Sequence, residues 1–249
     1  MRSLLAIFFG LHVLTAAAAT DEATLQKIQA AMQSGIRSAA EVARDDNRKP
    51  VETLSFFGFE DDMRVLELLP GGGWYTKLLA PVLRDKGKLY VSIGTDNVRD
   101  KLLTEADFSD VQLLDIGVAP ERSGPFNTSF IAPFDFGVRD LDMVVTFRNM
   151  HNFTPEGRAN INDATFKALK SGGLFGVIDH SRRHMEPMTA ENRRRSDVVE
   201  IIREVQAAGF ELVDYSDLHY RPDDELRYEV GRHTVTGNTD RFTLLFRKP

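Results

Sequence analysis

Val65-Leu66-Glu67-Leu68-Leu69-Pro70-Gly71-Gly72-Gly73-Trp74-Tyr75-Thr76-Lys77-Leu78-Leu79-Ala80-Pro81 decides the fold of this chain. Its first half belongs to a short apolar run, Met63 to Leu69, closed by a proline and three glycines, which reads as a buried strand. Its second half, Tyr75 to Leu83, reads as a helix. A strand that runs through glycines into a helix lets the backbone approach a ligand and aims helix N–H groups at it. The turn lacks the Gly-Lys-Ser/Thr ending of a nucleoside-triphosphate loop. It also lacks G-x-G-x-x-G, because Tyr75 or Thr76 stands where the third glycine belongs. That counts against a nicotinamide-dependent oxidoreductase.

The same alternation extends along the chain. Strands are predicted at Lys88–Ile93, Val111–Ile116, Leu141–Phe147, Leu174–Asp179, Phe210–Tyr215 and Arg241–Arg247. Helices are predicted at Val98–Leu103, Pro155–Leu169 and Ala190–Ala208, the last stopped by Gly209. Leu25, Ile28, Met32 and Ile36 recur at helical spacing, so Thr20–Ala43 reads as an amino-terminal helix, broken by the charged stretch Arg44–Lys49 and by Pro50. Near-continuous apolar strands separated by helices imply an α/β fold: a Rossmann-like, seven-stranded, mostly parallel sheet with helices on both faces.

The quoted stretch resembles motif I of class I S-adenosylmethionine-dependent methyltransferases, acidic-x-Gly-x-Gly-x-Gly. Glu67 stands at the acidic place, Leu69 at the first glycine, and Gly71 and Gly73 at the other two. The chain is similar, more narrowly, to a family of predicted exported bacterial methyltransferases. The shared phrases are Arg48-Lys49-Pro50, Phe56-Phe57-Gly58, Pro70 to Thr76, Leu79-Ala80-Pro81, Arg148-Asn149-Met150-His151-Asn152 and Thr239-Asp240-Arg241-Phe242. The resemblance spans residues 51–249 and implies a last strand inserted antiparallel. It further implies S-adenosylmethionine as cofactor, with Gly71, Gly72, Gly73 and Tyr75 around its methionine part. Glu67 would hold backbone N–H groups or the amino group of that part. An acid at the end of the second strand would hold the ribose; Gly94 occupies the usual place, leaving Asp96 two residues on. Asp115 would face the adenine.

Ligands of open parallel sheets bind beyond the carboxyl ends of the strands. The loop after Leu141–Phe147 therefore shares an edge with the glycine turn, and it carries Arg148, Asn149, His151 and Asn152. Histidine suits proton transfer near neutral pH. His151 is the candidate base or substrate orienter, Arg148 an anion clamp, and Asn149 or Asn152 a hydrogen-bond positioner. The alternative is that Asn149 and His151 only fix the loop. Arg182 and Arg183 close the next strand and are expected to join Arg148. His180 and His184 are candidates for the pocket lining, and no third residue completes a metal set. Arg48 and Lys49 are candidates to cap the cleft. Arg193-Arg194-Arg195, early in the last predicted helix, reads as a solvated face.

Of 249 residues none is cysteine, which excludes disulfides, thiolate metal centres and a catalytic thiol. The formal charge of −6 argues against a nucleic-acid-coating protein while leaving room for one basic pocket. Arg2, an apolar run from Leu4 to Leu14, and the alanines to Ala19 read as a secretory signal sequence cut after Ala19. The run is too short to span a membrane, for which about 20 apolar residues are needed. The expected organisation is residues 1–19 signal, 20–50 helix and linker, and 51–249 the catalytic fold, in the periplasm. A methyltransferase acting on a small molecule, an anion among the candidates, is the first functional expectation. An exported, non-catalytic binding protein of the same fold is the alternative.

Overall fold

A computed structural model describes residues 20–249. The expected signal sequence lies outside the described residues. The elements are α1 (Glu22–Met32), α2 (Ala39–Val42), α3 (Asp45–Arg48), α4 (Pro50–Phe56), β1 (Arg64–Leu68), α5 (Thr76–Leu83), β2 (Lys88–Ser92), α6 (Asp96–Lys101) and β3 (Gln112–Leu114). There follow a small hairpin of β4 (Glu121–Arg122) and β5 (Ser129–Phe130), then β6 (Leu141–Phe147), α7 (Pro155–Ala168), β7 (Leu169–Arg182), β8 (Ser196–Asp197), α8 (Val198–Ala207), β9 (Glu211–Ser216) and β10 (Arg241–Arg247).

The main sheet runs β3-β2-β1-β6-β7-β10-β9, with β8 beside β7 as an eighth strand. Strands β3, β2, β1, β6 and β7 are parallel, and β10 is antiparallel to β7 and β9. Their near-continuous apolar sequence is buried from both sides. One cluster joins Val65, Val91 and Val145 to Leu78 and Leu79 of α5 and Ile28 of α1. The other joins Leu66, Leu68 and Val144 to Ile161 of α7 and Ile201 and Val205 of α8. Chain order leaves β1 toward β2 on one side, and β6 toward β7 on the other. The sheet therefore has its switch point between β1 and β6, where such folds open a crevice.

The expected helix over Thr20–Ala43 is two helices. α1 ends at Met32, and Ser38 then starts α2 with a capping box: its hydroxyl accepts from Glu41 N–H while its own N–H donates to Glu41 at 2.8 Å. The charged stretch before Pro50 is helical too, with Lys49 left-handed at φ 42° between α3 and α4. The expected helix over Ala190–Ala208 begins only at Val198, because Asp197 caps it by accepting from Val199 N–H at 2.9 Å. Strand β7 is longer than predicted and takes in Gly172 and Gly173, which pair with Lys248 across the sheet.

Arg193-Arg194-Arg195 is thus not a helical solvated face. Arg195 is fully buried, and it binds the Asp224 carboxylate at 2.9 Å, the Ser181 carbonyl at 2.9 Å and the Tyr228 carbonyl at 2.7 Å. It ties the irregular segment 217–240 to the end of β7. Losing one partner of a buried ion pair strands the other, at a cost of about 3–5 kcal/mol. Arg195→Ala is expected to lose stability on that scale in urea unfolding followed by the fluorescence of Trp74, the sole tryptophan. A loss below about 1 kcal/mol would show the segment to be held by other contacts.

Candidate active site

A cavity of about 220 Å³ opens at the switch point, between the ends of β1 and β6. Alternation along β1 puts Val65 and Glu67 on the face that α5 covers, and Leu66 and Leu68 on the other. The chain then turns sharply: Leu69, Gly71 and Gly73 all have positive φ, at 52°, 59° and 79°. Leu69 adopts the conformation that glycine takes without cost, at the place where motif I carries its first glycine. A Cβ on Gly73 would lie 2.7 Å from Leu102 of the α6 region, so this glycine lets the turn pack. Gly71 and Gly72 are exposed, and a Cβ on either would meet nothing within 4 Å. Their bare backbone borders the open cavity.

Glu67 is 2% exposed and lines this cavity. Its Oε2 accepts from the Thr76 hydroxyl at 2.6 Å, and no cation lies within ion-pair distance among the described residues. Burial raises its pKa from 4.5 to about 7, against the opposing pull of Thr76 and Arg48. Arg48 lines the same cavity, is 4% exposed, and lies 4.3 Å above the Trp74 ring. Its Nε has no hydrogen-bond partner, and it forms no ion pair among the described residues. Burial, then the nearby Arg148, push its guanidinium down to about 8. Tyr75 is buried here, stacked on Phe147 at 3.5 Å between ring centroids.

The loop after β6 supplies the opposite wall. Asn149 bonds the Leu68 and Leu69 carbonyls and the Thr146 hydroxyl, each at 3.3 Å. Its amide thereby stitches β6 to β1 below the glycine turn. Arg148 sits at φ 66° and lines the cavity. His151 Nδ1 lies 2.6 Å from Asp179 Oδ1, and its backbone N–H donates to Oδ2 at 2.7 Å. Asp179, fully buried, also accepts from the His180 N–H at 2.8 Å and the Ser196 hydroxyl at 3.2 Å. An ionised carboxylate only accepts, so His151 donates through Nδ1 and Nε2 is left as the basic nitrogen. His151 and Asn152 line a second cavity of about 330 Å³.

Arg182 and Arg183 do not join Arg148. Arg182 pairs with Glu200 at 2.9 Å, and Arg183 is exposed. Arg44, Arg48 and Arg241 gather at Arg148 instead, brought from α3 and its approach and from the start of β10. His180 packs 5.6 Å from the His151 ring, and burial, then His151, hold its pKa well below 6.5. His184 turns away to Asp197, with Nδ1 at 2.9 Å. Asp96 is exposed and paired with Arg99 at 2.9 Å, and Asp115 is exposed and accepts from Gly117 N–H at 2.9 Å. Neither lines the cavity beside Gly71. No set of three or more metal-ligating side chains occurs among the described residues.

Three contributors escape a reading of the sequence. Asp179 adjoins His180 at the end of β7, and an acid closing an apolar strand beside a candidate base strand was the available signal. Arg241 and Arg44 carry none, since residues 197 apart in sequence meet only through the tertiary fold.

No family model and no curated protein matches this sequence. Solved structures do. An S-adenosylmethionine-dependent methyltransferase from Aquifex aeolicus is 15% identical, with 89% of this chain and 97% of that chain covered at a TM-score of 0.55. The methyltransferase CcbJ from Streptomyces caelestis is 14% identical, with 82% and 89% covered at 0.51. The [4+2]-cyclase SpnF is 16% identical, with 87% and 84% covered at 0.52. The chain has the class I methyltransferase fold. That fold is shared with a protein described as a cyclase, so chemistry has to be argued from the site.

The state of Glu67 sets a pH dependence. In the folded chain it holds its proton up to about pH 7, whereas the unfolded chain releases it near 4.5. The folded state therefore binds more protons between these values, and stability falls as pH rises through that window. Glu67→Gln is expected to remove this fall. Relative to wild type, it should gain about 2–3 kcal/mol in unfolding free energy between pH 4.5 and 8. A pH-independent difference would place an ionised Glu67 in the fold.

Proposed function

We propose that this chain transfers the methyl group of S-adenosylmethionine to a small-molecule acceptor. One observation carries the reading. A buried carboxyl without a cation, Glu67, and a buried guanidinium without an anion, Arg48, line one cavity against bare glycine backbone. An α-amino-acid head brings an ammonium to the first and a carboxylate to the second, and the methionine part of the cofactor ends in that group. Gly71 and Gly72 leave room for its chain.

S-adenosylmethionine, when bound, supplies a methyl group on a cationic sulfur, open to displacement by a nucleophilic oxygen or nitrogen. Catalysis of this kind is mainly positioning in a water-poor site. Asn149 fixes the two strand ends that frame the cavity. His151 accepts the proton of the nucleophile at Nε2, and Asp179 fixes the ring and stabilises the imidazolium that forms. Asn152 lines the second cavity beside His151, as a hydrogen-bond partner for the acceptor. Asp96 and Asp115 remain candidates for the adenosine part through the side chains they present at the ends of β2 and β3. The amino-terminal residues 1–19 support export, with a mature chain starting at Thr20 in the periplasm.

Calorimetric titration of the chain from Thr20 onward with S-adenosylmethionine tests this reading. Saturable binding is expected, and no heat at millimolar cofactor would sink it. Gly71→Val should abolish binding, since φ 59° disfavours a β-branched residue and its side chain would fill the open space. His151→Ala should bind within threefold of wild type while methyl transfer drops about 10²- to 10⁴-fold. Equal loss of binding in the histidine variant would make it a structural residue.

A further inference from the structure

Beyond the cofactor cavity lies a larger one of about 440 Å³, bounded by the ends of β6 and β7, the α3 region and the start of β10. Arg44, Arg148 and Arg241 line it, together with Asn47, His180 and Thr239. None of the three arginines forms an ion pair among the described residues. Arg241 is 5% exposed; it donates through Nη1 to the Asn47 carbonyl at 3.1 Å and through Nη2 to the Asn47 side chain. Its Nε is buried with no partner at all. Arg148 is held in a left-handed conformation that arginine rarely adopts. A fourth arginine on the wall, Arg194, is neutralised by Glu229 at 2.8 Å.

Three guanidinium groups so placed repel one another. Burial, then Arg148, push Arg241 down to about 10, and burial, then Arg44, lower Arg148. Burial, then His151, then Arg241 and Arg148 lower the pKa of His180, whose Nδ1 lies 2.8 Å from the Thr239 hydroxyl. No carboxylate lines the cavity, and Asp179, the acid whose charge acts on Arg148, is taken up by His151, His180 and Ser196. Buried charges without partners are costly, and guanidinium forks match the paired oxygens of carboxylates and phosphates. The cavity meets the cofactor cavity at Arg44 and Arg148, and the His151 cavity at Arg194.

We infer that this cavity binds an oxyanion, a phosphate or a carboxylate, carried by the methyl acceptor, and so holds the acceptor with its nucleophile toward His151. The inference rests on the methyltransferase reading for the word acceptor, and on the cavity alone for the anion. Arg48 serves the cofactor head, while Arg148 and Arg241 serve the acceptor.

Calorimetric titrations of the chain with sodium phosphate and with sodium succinate, at constant ionic strength, test it with and without saturating S-adenosylhomocysteine. Binding of at least one anion is expected in both conditions, with affinities within threefold. Arg148→Gln and Arg241→Gln should each weaken it tenfold or more, and Arg44→Gln, on an exposed side chain safe for folding, several-fold. Arg203→Gln, an exposed arginine on α8, should leave it unchanged. Failure of both anions to bind, or equal weakening in Arg203→Gln, overturns the proposal. Loss of anion binding when S-adenosylhomocysteine is present also overturns it, because the cations would then belong to the cofactor head. Should S-adenosylhomocysteine itself not bind, the cofactor reading fails, and the titrations of the free chain still decide the cavity. Phosphate binding without succinate binding, or the reverse, identifies the acceptor's anionic group.

Discussion

A carboxyl group buried at the end of the central strand, with no cation bonded to it, governs the chemistry of this fold's carboxyl edge. Strand alternation forces Glu67 to the face that α5 covers, and the glycine turn holds that face open. Thr76 satisfies one oxygen at 2.6 Å. Desolvation keeps the group protonated to about pH 7, so it is an acceptor site awaiting a positive ligand group. Arg48 faces the complementary deficit, with the Trp74 ring below it at 4.3 Å and no carboxylate paired to it. A protein selected for stability alone would pair these two directly or replace both by apolar side chains.

The same logic extends outward from the switch point. Asn149 uses its amide to hold the ends of β1 and β6 together, which fixes the width of the crevice. On the far side, Asp179 gathers four donors and sets the tautomer of His151. Between lies a band of arginines, Arg44, Arg48, Arg148 and Arg241, contributed by three separate stretches of chain. Arg241 is held by the carbonyl and side chain of Asn47 rather than by a carboxylate, and with the buried Arg48 and the half-buried Arg148 it forms a positive potential at this edge. Such preorganised charge needs no rearrangement when a ligand arrives.

Local pattern carried much of this. Glu67 and the three glycines were legible because strand, turn and helix are contiguous, and Arg148 and His151 because they follow a strand end directly. The mostly parallel sheet followed from the alternation of strands and helices, and its antiparallel last strand from the methyltransferase resemblance. What sequence spacing hid was pairing across distance: Asp179 with His151, and Arg44 and Arg241 with Arg148. Arg182 was misplaced because Glu200, on α8, lies close enough to claim it. Arg195 read as solvated because the segment 217–240 that buries it has little regular pattern of its own. The motif's missing first glycine turned out to be a position where Leu69 bears the left-handed backbone itself, at φ 52°.

The central claim is that an amino-acid head binds between Glu67 and Arg48, and proton counting tests it most directly. S-adenosylhomocysteine carries that head. Calorimetric titration with it at about pH 6, in two buffers of different ionisation enthalpy, yields the protons exchanged on binding. Glu67 is mostly protonated there and must ionise to meet an ammonium, so release of close to one proton is expected, vanishing in Glu67→Gln. Binding with no proton released in the wild-type chain would contradict a neutral Glu67 as the receptor of the amino group.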